Sequence, residues 1–366
     1  MQVKEKEVVL EVKDLKVFFH TYRGKVEALN GVELSLYKRE VLGLVGESGC
    51  GKSVTALTIL GLLPENAYVI SGEIFFRGED LLKKSKEEMR LLRADEIAAV
   101  FQDPMTYLNP VLTMETQLKE VFMLDTNLLR KAVVWQKNHG GKIAFDDLLS
   151  GKVKIRDNST NPKVSKSEIN EMAKSLCIDI LRLVKMPDPE RILRQYAFEL
   201  SGGMRQRAMI AMALARRPSV FIADEITTAV DVTIQAQILN LMRELRDKID
   251  ASTLLITHDL SVAAENADRI AVMYGGNVVE VAPTVEIFKN HLHPYTSMLM
   301  KAIPDVKNPS ERLESIPGTV PEMINPPSGC RFHPRCPIAT DKCAMEKPQL
   351  RRITENHEVA CYNVAV

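Results

Sequence analysis

The stretch Gly46-Glu47-Ser48-Gly49-Cys50-Gly51-Lys52-Ser53 constrains this chain more than any other. It follows the apolar run Val41-Leu42-Gly43-Leu44-Val45 and precedes residues 53–63, which read as a helix halted by Pro64. Glycines between a buried strand and a helix let backbone N–H groups curl around phosphate oxygens. The lysine then neutralises phosphate charge, and the serine hydroxyl reaches Mg²⁺. Such a loop belongs at the carboxyl end of a strand in an open α/β sheet. The expectation is an α/β fold that binds nucleotide phosphates through Gly46, Glu47, Ser48, Gly49, Cys50, Gly51, Lys52, Ser53 and Val54. Cys50 stands where a small residue fits and is given no chemistry of its own.

The rest of the chain agrees with that fold class. Residues 8–45 cluster β-branched residues, residues 73–77 and 97–101 read as further strands, and residues 112–200 are mostly helical in pattern. Residues 125–166 look less regular and hold the only tryptophan, Trp135. A helix over 205–215 leads to the strand Val220–Asp224, a helix over 235–247 and a strand over 253–257. Strand–helix alternation implies a parallel sheet with helices on its faces. Beyond about residue 283 prolines become frequent, which predicts a loop-rich extension too poor in apolar periodicity for a large core of its own.

Lysine plus arginine and aspartate plus glutamate each number 48, so the net charge is zero and offers no electrostatic case for nucleic acid. No apolar run approaches the roughly 20 residues needed to cross a bilayer. The opening Met-Gln-Val-Lys-Glu-Lys-Glu lacks the apolar centre of a signal peptide. These features predict a soluble or peripheral protein, with the cytoplasm as the default compartment.

Asp224 ends a short apolar strand, which puts its carboxylate at the edge where ligands bind and suits it to a Mg²⁺ shell. Glu225, one residue on, is suited to orient or deprotonate an attacking water. Gln102 and His258 each follow a strand leading to the same edge, where the first can reach Mg²⁺ or the water and the second the γ-phosphate. Leu200-Ser201-Gly202-Gly203-Met204-Arg205-Gln206-Arg207 opens another helix, and a helix N-terminus is an anion receptor. One phosphate receptor already exists, so the second is expected to serve the nucleotide of a neighbouring molecule.

Four of the six cysteines, Cys330, Cys336, Cys343 and Cys361, fall in the final proline-rich segment. Thiolates are soft ligands suited to Fe–S clusters or zinc, although neither close pair has the spacing common in zinc sites. Thiols or disulfides are the alternative, the latter disfavoured in a reducing compartment. Cys177 lies in an apolar helical stretch and reads as core.

On these residues the chain resembles ATP-binding cassette ATPases. Phe101-Gln102-Asp103-Pro104-Met105-Thr106, His293-Pro294-Tyr295-Thr296, Ile316-Pro317-Gly318 and the pattern Cys330-x-Phe332-x-x-Arg335-Cys336-Pro337 make it similar to the ATPase subunits of oligopeptide/dipeptide importers. The resemblance implies a P-loop NTPase domain over 1–282, with a RecA-like core over 1–104 and 205–282, a helical subdomain over 105–204 and an insertion over 125–166. A C-terminal extension covers 283–366. It further implies a cassette dimer that sandwiches ATP and Mg²⁺. Phe19, or in its place Tyr22, would stack on adenine; Ser53, Gln102 and Asp224 would hold Mg²⁺; and Glu225, Gln102 and His258 would serve hydrolysis. Ser201, Gly202, Gly203 and Asp231 would contact the partner's ATP. The resemblance gives a [4Fe–4S] cluster, with Zn²⁺ as the alternative, on Cys330, Cys336, Cys343 and Cys361.

The implied partners are a second, non-identical ATPase subunit, two transmembrane permease subunits and, indirectly, an extracellular solute-binding protein, with no nucleic acid. The implied location is the cytoplasmic face of the membrane. The chain departs from the family in Ile226, where proline is usual, in Val230 in place of leucine, and in the longer 125–166 stretch. Other readings are a soluble cassette ATPase acting on nucleic acid or ribosomes, an inactive regulatory subunit, and an oligosaccharide importer of the same family. The first lacks the long coiled coil or the second cassette it would need, and the retention of Lys52, Asp224, Glu225 and His258 argues against the second.

Overall fold

The computed structural model describes residues 7–102, 104–140, 164–226, 232–248, 250–302 and 316–364. The chain divides into two compact units, one formed by Met1–Arg90 with Ser252–Val366 and the other by Leu91–Ala251.

The first unit opens with β1 (Val8–Thr21), β2 (Gly24–Tyr37), β3 (Val41–Val45), β4 (Ala67–Phe76) and β5 (Glu79–Asp80). An antiparallel sheet takes the order β2-β1-β4-β5. Its β1 buries Leu10, Val12, Leu15 and Val17, and a register shift between Val12 and Leu15 keeps the later residues on the buried face. The strand β3 is buried at all five positions, as expected of a strand covered on both sides. After the glycine-rich loop comes the helix Lys52–Ile59. It stops before Pro64, because Gly61 adopts φ 62° and the N–H of Leu62 reaches back to the carbonyl of Leu57, closing a Schellman turn.

The chain then enters the second unit. There β6 (Ile97–Val100) and β7 (Val220–Asp224) pair in parallel, from Ile97 opposite Val220 to Val100 opposite Ala223. Between them run the helices Met114–Met123, Thr126–His139 and Lys166–Leu183. The helix Lys166–Leu183 opens with a capping box between Ser165 and Glu168 and buries Ile169, Met172, Ala173, Leu176, Cys177 and Ile180 on one face. Residues 125–140 are thus more regular than the sequence suggests. Asp125 caps the helix Thr126–His139, Leu129, Ala132 and Val133 are buried at helical spacing, and Gly140 ends it at φ 67°. Of the stretch 125–166, residues 141–163 lie outside the described residues. The helix Gly202–Leu214 precedes β7 and the helix Val232–Lys248 follows it.

Back in the first unit are β8 (Ser252–Thr257), β9 (Arg269–Tyr274), β10 (Asn277–Pro283), β11 (Arg351–Thr354) and β12 (His357–Val359). There β3 pairs in parallel with both β8 and β9, while β10 and β9 form an antiparallel hairpin across Gly275-Gly276. The tail adds an antiparallel edge, with β12 on β10 and β11 on β12. Its Phe332 enters the same cluster as Val272, Tyr274, Ile287 and Tyr295, so the loop-rich extension shares the core of this unit.

The hub of this packing is a buried carboxylate. Glu280, in the middle of β10, is fully buried and accepts hydrogen bonds from the N–H groups of Leu292 (2.6 Å) and His293 (3.0 Å) and from His357 Nε2 (2.7 Å). Burial alone would raise its pKa, but these hydrogen bonds hold it below the usual carboxylate range.

Candidate functional site

In the first unit the glycine-rich loop leaves β3 at Val45. A Cβ on Gly46 would stand 2.1 Å from the Met273 carbonyl oxygen, so only glycine permits this approach to β9. Gly51 has φ 107°, and a Cβ there would meet Leu29 Cδ2 at 2.7 Å. Gly51 is also the residue before the helix Lys52–Ile59, which has no side-chain cap. Its first N–H groups are therefore available to an anion, reinforced by the helix dipole.

Lys52 is buried, and its ammonium donates to the carbonyls of Gly46 (2.8 Å) and Glu47 (3.1 Å). Ser48, Gly49 and Ser53 are exposed, and Val54 is half-buried at the start of the helix. Cys50 is buried, which pushes its thiol pKa up despite nearby Lys52. Its carbonyl accepts the N–H of Gly276 (2.8 Å), and this hairpin contact backs the loop.

His258 follows β8, and Thr257 pairs in register with Val45. The phosphate loop and His258 thus leave neighbouring parallel strands at one edge, with His258 exposed. The next residue, Asp259, caps the helix Leu260–Asn266 by accepting from Ser261 N at 2.8 Å, which fixes the chain just past the histidine. Phe19 sits opposite Val26 of β2 and Ala67 of β4 and is half-buried, whereas Tyr22 is 98% exposed at the hairpin turn.

The second unit holds the acidic residues. Asp224 is the last residue of β7 and is buried. Glu225 follows with φ 49°, a left-handed conformation that costs a non-glycine residue about 1 kcal/mol or more. Ile226 is buried. Gln102 is exposed two residues past the end of β6. Because β6 and β7 are parallel, Gln102 and Asp224 leave the same edge of that pair.

Ser201 is the N-cap of the helix Gly202–Leu214, its hydroxyl accepting from Met204 N at 3.4 Å; Ser201 and Gly202 are exposed and Gly203 is buried. Arg205 and Arg207 turn inward from this helix. Arg205 Nε donates to the Ala197 carbonyl (2.8 Å), and Arg207 Nη1 donates to the carbonyls of Val184 (3.1 Å) and Lys185 (2.9 Å). Those two carbonyls end the helix Lys166–Leu183, so Arg207 caps it electrostatically. Asp231 lies outside the described residues.

Sequence reasoning missed the contacts that hold Glu47. Its N–H donates to the Tyr295 hydroxyl (3.0 Å), and its carboxylate pairs with Arg335 (3.0 Å). Both partners sit in motifs visible in the sequence, but nothing local ties either motif to a loop some 250 or more residues away.

The expectation of a formed four-thiolate ligand set on the tail is not met. Cys330 N–H bonds the Cys343 carbonyl (2.8 Å), and the thiols of Cys330, Cys336, Cys343 and Cys361 lie close enough to influence one another. Among the described residues, however, no three His, Cys, Asp or Glu side chains gather as a metal-holding group. All six cysteines are unbridged. Burial pushes the Cys330 thiol up to about 11 and raises Cys336 and Cys361. Cys177 is a core residue, as expected, its thiol pushed up to about 12 by burial.

Comparison with known proteins accounts for both the loop and the tail. The ABC transporter family model matches residues 29–228, and the model for the C-terminal region of oligopeptide/dipeptide transporters matches residues 279–343. The dipeptide transport ATP-binding protein DppD of Bacillus subtilis is 42% identical over 357 residues, covering 97% of this chain and 95% of its own. The oligopeptide transport ATP-binding protein OppD of the same organism is 43% identical over 353 residues, covering 96% of this chain and 87% of its own. The dimeric structure of a bacterial ABC transporter cassette superposes with a TM-score of 0.56 over 75% of this chain and 98% of that one, at 22% identity, which supports the α/β cassette fold. The chain therefore belongs to the ABC transporter family, as an ATP-hydrolysing cassette carrying the C-terminal region of the oligopeptide/dipeptide transporters.

Proposed function

We propose that this chain is the ATPase subunit that powers import of oligopeptides or dipeptides, and that hydrolysis runs through the residues its sequence singles out. The observation that carries the reading is the phosphate loop itself. Its buried lysine already rests on two carbonyls, and an uncapped helix N-terminus follows it. Phosphate oxygens would take over Lys52 from the carbonyls of Gly46 and Glu47, while the N–H groups of the loop and the following helix bind the polyphosphate. Mg²⁺, when bound, neutralises charge developing on the β- and γ-phosphates.

Ser53, Gln102 and Asp224 are the proposed holders of that ion, and Phe19 the proposed adenine stack. Glu225 takes the proton of the attacking water, and the strained backbone beneath it is in keeping with a residue held for a task. His258 donates to the γ-phosphate. Ser201, Gly202, Gly203 and Asp231 serve the nucleotide of a second, non-identical cassette. Two transmembrane permease subunits then receive the motion of the cassettes, an extracellular binding protein delivers the solute, and the chain works at the cytoplasmic face of the membrane. No step of hydrolysis is routed through the four cysteines of the tail, where no metal-holding group is formed among the described residues. Iron and zinc determination on the purified chain tests the [4Fe–4S] and Zn²⁺ readings directly.

Glu225→Gln tests the assignment of the base. ATP binding should stay within about threefold of wild type while turnover falls by about a hundredfold or more. Unchanged turnover would remove Glu225 from the mechanism.

A further inference from the structure

The phosphate loop is held by residues from the other end of the chain. Tyr295 is fully buried, its ring 4.6 Å from that of Tyr274 and 5.3 Å from that of Phe332, so its hydroxyl has little freedom. That hydroxyl accepts the N–H of Glu47. Arg335 meets the Glu47 carboxylate with both ends of its fork, Nη1 to Oε2 at 3.0 Å and Nη2 to Oε1 at 3.4 Å. Its remaining donors are occupied as well, by the Pro317 carbonyl (2.8 Å), the Tyr274 hydroxyl (3.3 Å) and the Gly318 carbonyl (3.5 Å). The side chain is 6% exposed. A guanidinium so surrounded is a rigid bracket rather than a surface ion pair.

A second layer supports the first. Arg331, also buried, donates to the Gly275 carbonyl (2.6 Å) and pairs with Glu27 (2.5 Å). It thereby fixes the hairpin whose Gly276 N–H holds the Cys50 carbonyl.

We propose that Arg335 and Tyr295 are positioning residues for ATP: by holding Glu47 from two sides they fix the first turn of the phosphate loop, so that the tail sets nucleotide affinity. The proposal rests on the reading of Gly46–Ser53 as the ATP site. Two physical effects support it. A loop with glycines at 46, 49 and 51 has wide conformational freedom, and ordering it before the ligand arrives lowers the cost of binding. Glu47 also places a carboxylate next to a polyphosphate, where it would repel the ligand unless a cation pairs with it. Arg335 serves both needs.

The test is MgATP affinity of the full chain, measured by titration calorimetry, with unfolding temperature without nucleotide as the folding check. Arg335→Ala should weaken binding about tenfold, whereas Arg335→Lys should recover most of the loss. Glu47→Gln in the Arg335→Ala background should cost nothing further and should recover part of the loss, because it removes the carboxylate left unpaired beside the polyphosphate. Tyr295→Phe keeps the ring and removes the acceptor, so it reports on the same contact should Arg335→Ala not fold. Wild-type affinity in folded Arg335→Ala and Tyr295→Phe, or independent losses that multiply in the double variant, would overturn the proposal. Lys52→Ala separates the two levels. If wild type binds ATP, Lys52→Ala does not and the bracket variants match wild type, only the bracket fails. If wild type binds no ATP, the site reading itself fails.

Discussion

His293 packs near the ring of Phe332 in the tail and is fully enclosed. Burial holds its pKa at about 4, against the partial opposition of the Glu280 carboxylate, and its Nδ1 accepts the N–H of Tyr295 (3.1 Å). The unfolded chain takes a proton on this imidazole below about pH 6.5 while the native state refuses it until about pH 4. Stability contributed by this site is thus complete above pH 6.5 and lost as pH falls toward 4. The full shift is worth on the order of 3 kcal/mol. Glu280, whose pKa is lowered, contributes in the other direction of charge and loses its stabilisation only below about 4.5. The interval from 6.5 to 4.5 therefore reports on His293. Denaturant unfolding across that interval should show a slope that disappears in His293→Asn, and an unchanged slope would refute the assignment. At this scale the sequence was legible wherever chemistry is local. The positions of Lys52 and Ser53 at the start of a helix, and of Asp224 at the end of a strand, were readable from the local pattern. Tyr295 and Arg335 were not, since their partner Glu47 is remote in sequence and no periodicity encodes that pairing.

Elements were legible where burial writes a pattern. The strands Val41–Val45 and Val220–Asp224 are buried at every position and stand in the sequence as short apolar runs. The strand β4 begins several residues before its readable part, because Tyr68, Val69 and Ile70 are exposed and are held by backbone pairing to β1 rather than by a buried face. The helix Thr126–His139 does not stand out in the sequence although Leu129, Ala132 and Val133 carry helical spacing, because the glycines at 140–141 and the Asn-Ser-Thr-Asn-Pro run at 158–162 make the whole stretch look irregular. The signature helix shows how closely its packing is set. A Cβ on Gly203 would come within 2.6 Å of Ile234 Cγ2, and a β-branched side chain cannot swing away as a long one can. Gly203→Ala should therefore cost about 1–3 kcal/mol of stability, as overpacking does. It should also tilt Gly202–Leu214 away from Val232–Lys248. Urea unfolding measures the first effect, and a variant as stable as wild type would show that this contact yields cheaply.

For the whole molecule, the tail is the part whose role changed most between sequence and structure. Its prolines and cysteines suggested a loop-rich extension without a large core of its own and with a four-cysteine metal or cluster site. Instead Phe332 completes the core around Tyr274 and Tyr295, β12 extends the sheet, and Arg331 and Arg335 reach the loop and the hairpin behind it. Ser201 caps the helix Gly202–Leu214, and in the proposed function Ser201–Gly203 receives a partner's nucleotide. The purified chain alone should then hydrolyse ATP at least about tenfold more slowly than the assembled complex, even when it binds ATP well. Equal rates would argue against a shared site.

In the proposed function, hydrolysis on this chain drives peptide uptake. Its most direct measurement is accumulation of a labelled oligopeptide in vesicles that carry the assembled permease, both cassettes and the binding protein, with ATP on the side of this chain. Uptake should require ATP and should fall at least about tenfold when this chain carries Glu225→Gln. Uptake at the wild-type rate with that variant would show that hydrolysis at Glu225 does not drive transport.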